Sequence, residues 1–381
     1  MLCLAACGTN GSGNAAGARP TSTATTSITP TQSSNVTPSP TLSLGVKRCP
    51  AAVSSPAYWD PIIPTQANTS KVESVTCANI LGNSSLQALI NVRFTGTGSV
   101  LDVYVYDTIT NPAPHLLFKL LQLYKGDARI SPYSTLIFAE VDRNSSVNKN
   151  ASSNAALLQD LFREFKWSDG AGTLVPVAFP GIFPDLTRYQ AEADQRQVDQ
   201  GHQPWKREAK MTANALAATM LKWSPNAPTN VISGGGAQDV NATVTVKSTH
   251  PGSGSIQVTM SRLEGKARTG IWIISGVSAN NLTITTPPPG DRLSSPTTVQ
   301  GTGQAFEAVI GTLTILDHTY SDIGHAHVKG DVGMGDTTFS TNVSYTSSFK
   351  TGIQEGIIVL YAYSNADGSI AGAAMVKVLL S

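Results

Sequence analysis

The 381-residue sequence predicts a multidomain chain, two α+β domains followed by an all-β sandwich. Three patterns carry this expectation. Residues 48–180 mix alternating apolar–polar runs with Leu-rich stretches at helical spacing. Residues 181–284 place two helical patterns before three strand patterns. Beyond Thr286-Pro287-Pro288-Pro289, a stiff polyproline hinge, almost every apolar run alternates with period two. The length allows two or three domains.

The chain opens Met1-Leu2-Cys3-Leu4-Ala5-Ala6-Cys7-Gly8. Leu4-Ala5-Ala6-Cys7 resembles the lipobox of bacterial lipoproteins. The resemblance implies a diacylglyceryl thioether on Cys7, loss of residues 1–6 before it, and a mature protein that begins at Cys7 and is held by lipid at the extracytoplasmic face of the cell membrane. A complete signal peptide carries a basic region and an apolar stretch of roughly 7–15 residues. Only Leu2, Cys3 and Leu4 stand here, which suits a start codon placed too far downstream. Residues 8–47 are dominated by Gly, Ser, Thr, Asn, Ala and Pro and lack apolar periodicity, so they are expected to form a disordered stalk spanning roughly 35 Å or more.

Net charge is +1 and only 13% of residues are charged, which excludes a partner recruited by polyanion electrostatics, nucleic acid included. No apolar run reaches the 18 residues of a membrane helix. With Cys3 in the signal and Cys7 lipidated, Cys49 and Cys77 remain. In an exported protein such a pair reads as a disulfide, adding roughly 3–4 kcal/mol by constraining the unfolded chain; two free buried thiols are the alternative.

In the first α+β segment, Ala88 to Phe94 and Leu101 to Val105 alternate as strands. Leu116, Leu117, Leu120, Leu121 and Tyr124 form the stripe of a helix over 115–125, with His115 at its exposed start. Leu136 to Val141 is a strand. Asn154 caps a second helix carrying Leu157, Leu158, Leu161, Phe162 and Phe165, and Leu174 to Phe179 returns as a strand. Asp160, Arg163 and Glu164 then fall on a solvated helix face, with a carboxylate pair as the sharper alternative.

In the second segment, a charged helix follows Pro184-Asp185. A second helix has Ala209, Ala213, Leu216, Met220 and Trp223 on one side, and strands cover Thr243–Lys247, Ser255–Leu263 and Gly270–Val277. By element order this resembles the cone-shaped fold of cystatin and nuclear-transport-factor relatives, which implies a pocket between helix and sheet. Trp205, Trp223 and Trp272 are the aromatics available to line it; plain core packing is the alternative.

In residues 285–381, strands are expected around Phe306–Ile315, Phe339–Phe349, Ile357–Tyr363 and Val376–Val378, with Asp367-Gly368 turning the last hairpin. Pro289-Gly290, Ser295-Pro296, Val299-Gln300-Gly301, Phe306-Glu307, Phe349, Gly356 and Tyr363-Ser364-Asn365-Ala366-Asp367-Gly368 resemble the immunoglobulin-like domain associated with bacterial spore germination. The resemblance implies an immunoglobulin-like β-sandwich that mediates binding or assembly and brings no catalytic residues. His325 and His327 share a strand face at a spacing that can serve a metal, but no third ligand is evident and a surface pair is the plainer assignment.

The chain contains no G-x-S-x-G, H-E-x-x-H, P-loop or EF-hand signature. It is therefore expected to be a non-catalytic surface lipoprotein without cofactor, binding another surface protein or a cell-wall polymer. The alternative is an extracytoplasmic small-ligand-binding protein, and a third reading is a wall or spore-coat remodelling enzyme.

Overall fold

Antiparallel strands dominate the computed structural model, which describes residues 44–63, 69–96, 98–252, 254–265, 267–347 and 352–381. Cys7, the lipobox, the stalk up to residue 43 and Phe349 lie outside the described residues. Residues Leu42–Ser381 form one compact unit.

Strands β1 (Val46–Lys47), β2 (Ser70–Ala78), β3 (Gln87–Phe94), β4 (Leu101–Asp107) and β5 (His115–Leu123) pair in chain order as an antiparallel meander. A second meander follows with β6 (Asp127–Ile130), β7 (Leu136–Glu140), β8 (Leu161–Ser168) and β9 (Thr173–Val177). The two sheets pack face to face, with Leu89, Val103 and Leu123 of the first against Phe138 and Phe165 of the second. The other face of the first sheet is also covered. The short helix α1 (Pro56–Trp59) seats Trp59 on Ile90 and Tyr106, and the indole donates to the Val53 carbonyl at 2.8 Å. The Cys49–Cys77 disulfide ties this cover to β2 across a sequence separation of 28.

Two longer helices come next, α2 (Arg188–Asp199), capped by the Thr187 hydroxyl accepting from the Gln190 amide, and α3 (Ala209–Met220). The predicted stripe of α3 is real: Ala213, Leu216 and Met220 pack on Val244, Val258 and Met260. These belong to the antiparallel run β10 (Thr229–Gly234), β11 (Asn241–Lys247), β12 (Ser255–Ser261) and β13 (Ile273–Ala279). The remaining strands are β14 (Thr283–Thr286), β15 (Arg292–Leu293), β16 (Thr297–Phe306), β17 (Val309–Leu316), β18 (Asp322–Lys329), β19 (Met334–Val343), β20 (Gln354–Tyr363) and β21 (Ile370–Leu380). One layer runs β13-β21-β20-β17-β18; the other is β14-β16-β19; the β16–β17 hairpin joins them at the single pair Phe306↔Val309.

Strands β20 and β21 are buried on both faces. Ile358, Leu360, Val376 and Val378 point into the C-terminal sandwich. Ile357, Val359 and Met375 alternate with them and point into the core beneath α3. The sandwich is thus welded to the preceding sheet, with Val277 of β13 paired to Met375.

The expected class of two α+β domains is overturned. The described residues are almost all β, 46% strand against 12% helical, with three α-helices among them. The Leu-rich stretch 115–125 is the edge strand β5, which ends at Leu123, and the turn after it. Its apolar residues serve both faces: Leu117, Phe118 and Leu120 pack on the inter-sheet core while Leu116 and Leu121 face outward. An apolar run with no single face has no diagnostic period. Residues 154–165 likewise contain only a 3-10 turn, Asn154–Ala156 capped by Ser153, before β8. There Phe165 faces the sandwich core and Glu164 the opposite side.

Candidate binding groove

The strands of the C-terminal sandwich end in a groove of about 630 Å³, bounded on one side by the β11–β12 turn and the end of β13 and on the other by the β16–β17 hairpin. Phe306, Val309, Met334 and Tyr363 are all exposed there, Met334 by 67%, each at the end of its strand. Exposed amide side chains of Asn280, Gln304 and Asn365 stand among them. No residue lining the groove carries a charge. Of the acidic residues next to the lining in sequence, Asp336 accepts from the Asn281 amide at 2.8 Å and Asp367 accepts from the Ser369 amide and hydroxyl, while the exposed Glu307 stands in the turn between Phe306 and Val309, outside the lining.

The walls are held in place by contacts distant in sequence. The buried Ser364 hydroxyl donates to the Pro251 carbonyl at 3.1 Å, tying the β20–β21 turn to the β11–β12 turn. Trp223, below α3, donates its indole N–H to the Ile370 carbonyl at 2.7 Å. Glycines among the lining bring backbone to the groove surface. At Gly311 a Cβ would sit 1.9 Å from the Tyr361 carbonyl oxygen, so only glycine permits that approach. The hairpin turn beside it holds Glu307 and Ala308 at φ of 51° and 65°, the positive-φ geometry of a type I′ turn without the usual Asn or Gly. The Ala308 amide donates to Gly333 and its carbonyl accepts from the Gly330 amide, which fixes the turn.

A second concentration of polar groups is buried between the N-terminal sandwich, α2 and β20–β21. Arg188 Nε lies 2.8 Å from Glu164 Oε1 and its Nη1 lies 2.7 Å from Glu264 Oε1, with Thr135 donating to the same Glu164 oxygen. The Arg188 guanidinium also stacks over Tyr133 at 4.5 Å. Burial opposes its charge, yet the two carboxylates together hold it above its ordinary value. Burial outweighs Arg188 at Glu264 and pushes that carboxyl up to about 7. Deeper still, Glu355 and Lys377 lie 3.3 Å apart, and the Phe179 amide donates to Glu355 at 3.0 Å. Burial raises Glu355 to about 7 and holds Lys377 below its ordinary value. These groups are enclosed and largely paired with one another, and the cavity that Glu164 and Glu355 line among the described residues holds only about 10 Å³, so the cluster joins layers.

The residues singled out from sequence fall in different places. Cys49 and Cys77 form the disulfide. Trp205, Trp223 and Trp272 do not meet in one pocket. Trp205 is half-buried beside a shallow cavity of about 310 Å³ on α3, with Met211 and Asn214. Trp223 and Trp272 are buried in the core, Trp272 under the Arg262 guanidinium at 4.2 Å. His325 and His327 are exposed on one face of β18, and His325 Nδ1 lies 3.2 Å from Asp322. No group of three ligating side chains forms among the described residues. Asp160 and Glu164 are buried rather than on a solvated helix face.

The groove escaped the sequence reading, though a signal existed. Phe306 and Tyr363 to Asn365, noted for their family resemblance, lie far apart in the chain and come together as its lining.

No curated protein matches the chain. Residues 281–369 match the family described as the immunoglobulin-like domain of bacterial spore germination, a match ending just before β21, the strand that completes the sandwich. The C-terminal segment of this chain is thus similar to the immunoglobulin-like domain of bacterial spore germination, and its β-sandwich agrees with that match.

Proposed function

We propose that this protein is a non-catalytic, germination-associated surface lipoprotein. Its C-terminal domain binds an extracytoplasmic partner through the groove, and lipid on Cys7 keeps the chain at the membrane. The observation that carries the reading is that residues of the family-matched segment, with flanking loops, build an exposed, uncharged groove on a firmly braced scaffold. Binding sites combine such an apolar lining with a few placed polar groups. The titratable groups with strongly shifted protonation, by contrast, are sealed inside, where they reach no substrate.

Deleting residues 285–381 is a poor test, because it would uncover the core beneath α3. Point changes in the groove are cleaner. Full-length protein should co-sediment with purified spore envelopes, and the double variant Phe306→Ser, Tyr363→Ser should stay in the supernatant at unchanged thermal stability. Equal sedimentation of both proteins would sink the groove as the contact site. For the anchor, wild-type protein expressed in a bacterium should incorporate labelled fatty acid, and Cys7→Ala should not.

A further inference from the structure

We propose that the groove takes a neutral glycan chain. This deepens the reading of the C-terminal domain as a binding module and rests on it. The first argument is charge. Sites for phosphate, carboxylate or nucleic acid present guanidinium or ammonium groups, whereas this lining has none, nor a carboxylate to attract a cationic partner. The second argument is the mixture of surfaces. A pyranose ring has an apolar C–H face and a rim of hydroxyls that both donate and accept. The exposed Phe306 and Tyr363 rings supply apolar faces of that kind. The exposed amides of Asn280, Gln304 and Asn365 each offer a donor and an acceptor.

The third argument is size. At about 630 Å³, the space lies within the roughly 300–1,000 Å³ range of small-molecule sites and suits a short stretch of a longer chain.

Titration calorimetry of the full-length protein with chitotetraose, an uncharged oligosaccharide, tests this directly. Saturable binding is expected, unchanged between low and high salt because no charges are paired. Tyr363→Ala and Gln304→Ala should each weaken it at least about fivefold, and Tyr363→Phe should retain it because the ring is kept. These residues are exposed, so unchanged melting temperatures certify the variants. Binding that the variants leave intact, or absence of binding to chitotetraose at millimolar concentration, overturns the assignment. Envelope sedimentation run in parallel separates two failures. If envelopes still capture wild-type protein but not the Tyr363→Ala variant, the groove is a binding site for another ligand class. If neither protein sediments, the binding-module reading falls as well.

Discussion

Two regions of this molecule invert the usual rule of burial, in opposite directions. Between the N-terminal sandwich and β20–β21, charged side chains are inside: Glu164, Arg188, Glu264, Glu355 and Lys377 are all nearly inaccessible. At the end of the C-terminal sandwich, large apolar side chains are outside: Phe306, Val309, Met334 and Tyr363. The buried charges have found partners and the exposed rings have not. A buried carboxylate is tolerated only where a counter-charge and hydrogen bonds compensate its lost hydration, so the inner cluster reports how the layers dock on one another. An exposed apolar cluster among neutral amides has no such internal explanation and points outward to a ligand.

Breaking the inner cluster should have the largest effect. Arg188→Leu leaves two carboxylates buried with no guanidinium between them. The expected loss is about 3–5 kcal/mol, measured by urea unfolding, because the uncompensated charges remain. Adding Glu164→Gln and Glu264→Leu should return a substantial part of that loss. Groove binding should survive in whatever fraction stays folded. Reducing the disulfide comes next. The variant Cys49→Ser, Cys77→Ser should lose about 3–4 kcal/mol, and dithiothreitol should lower the melting temperature of the wild type but not of the variant.

These two regions also differ in how much of them was legible in the sequence. The α3 stripe could be read because that helix shows the core a single face, and β20 and β21, though buried on both faces, keep the apolar β-branched runs of a strand. The Leu-rich strand β5 could not, since Leu117 and Leu121 serve different sides of one strand and mimic helical spacing. Glu164 was misplaced for a related reason. Its burial depends on Arg188 and Glu264, which approach only after the sheets dock, and no local pattern encodes that. The groove has the same origin, being assembled from seven separate stretches of chain. Only the resemblance of Phe306 and of Tyr363 to Asn365 to a known domain hinted that distant residues share a purpose.

The inner cluster should respond to pH where the groove does not. Glu264, Glu355 and Asp185 are each raised by burial to about 7. Between the unfolded carboxyl value near 4.3 and about 7, the folded chain keeps protons that the unfolded chain releases. Stability from these groups is therefore complete below that window and is lost as pH rises through it. Each contributes a slope of up to about 1.4 kcal/mol per pH unit. Glu264→Gln should flatten the dependence of the melting temperature between pH 5 and 7. A variant whose profile parallels the wild type would refute the raised value. Chitotetraose affinity should be level across the same range, since no carboxyl, imidazole or amine side chain lines the groove.

The smallest effect is expected at the edge of the groove itself. Glu307 and Ala308 both sit at positive φ, where an L-residue with a Cβ is strained by roughly 1–2 kcal/mol. Neither side chain lines the groove; both belong to the turn that presents Phe306 and Val309. Backbone strain held at such a place is commonly tied to the positioning of neighbouring groups. The substitution Glu307→Asn with Ala308→Gly supplies the residues such a turn prefers and should raise stability by about 1 kcal/mol in thermal unfolding. If the turn serves only to set the two apolar side chains, oligosaccharide affinity should be retained along with the gain. If affinity drops while stability rises, the strain belongs to the binding geometry, and the outward-facing cluster is as closely specified as the buried one.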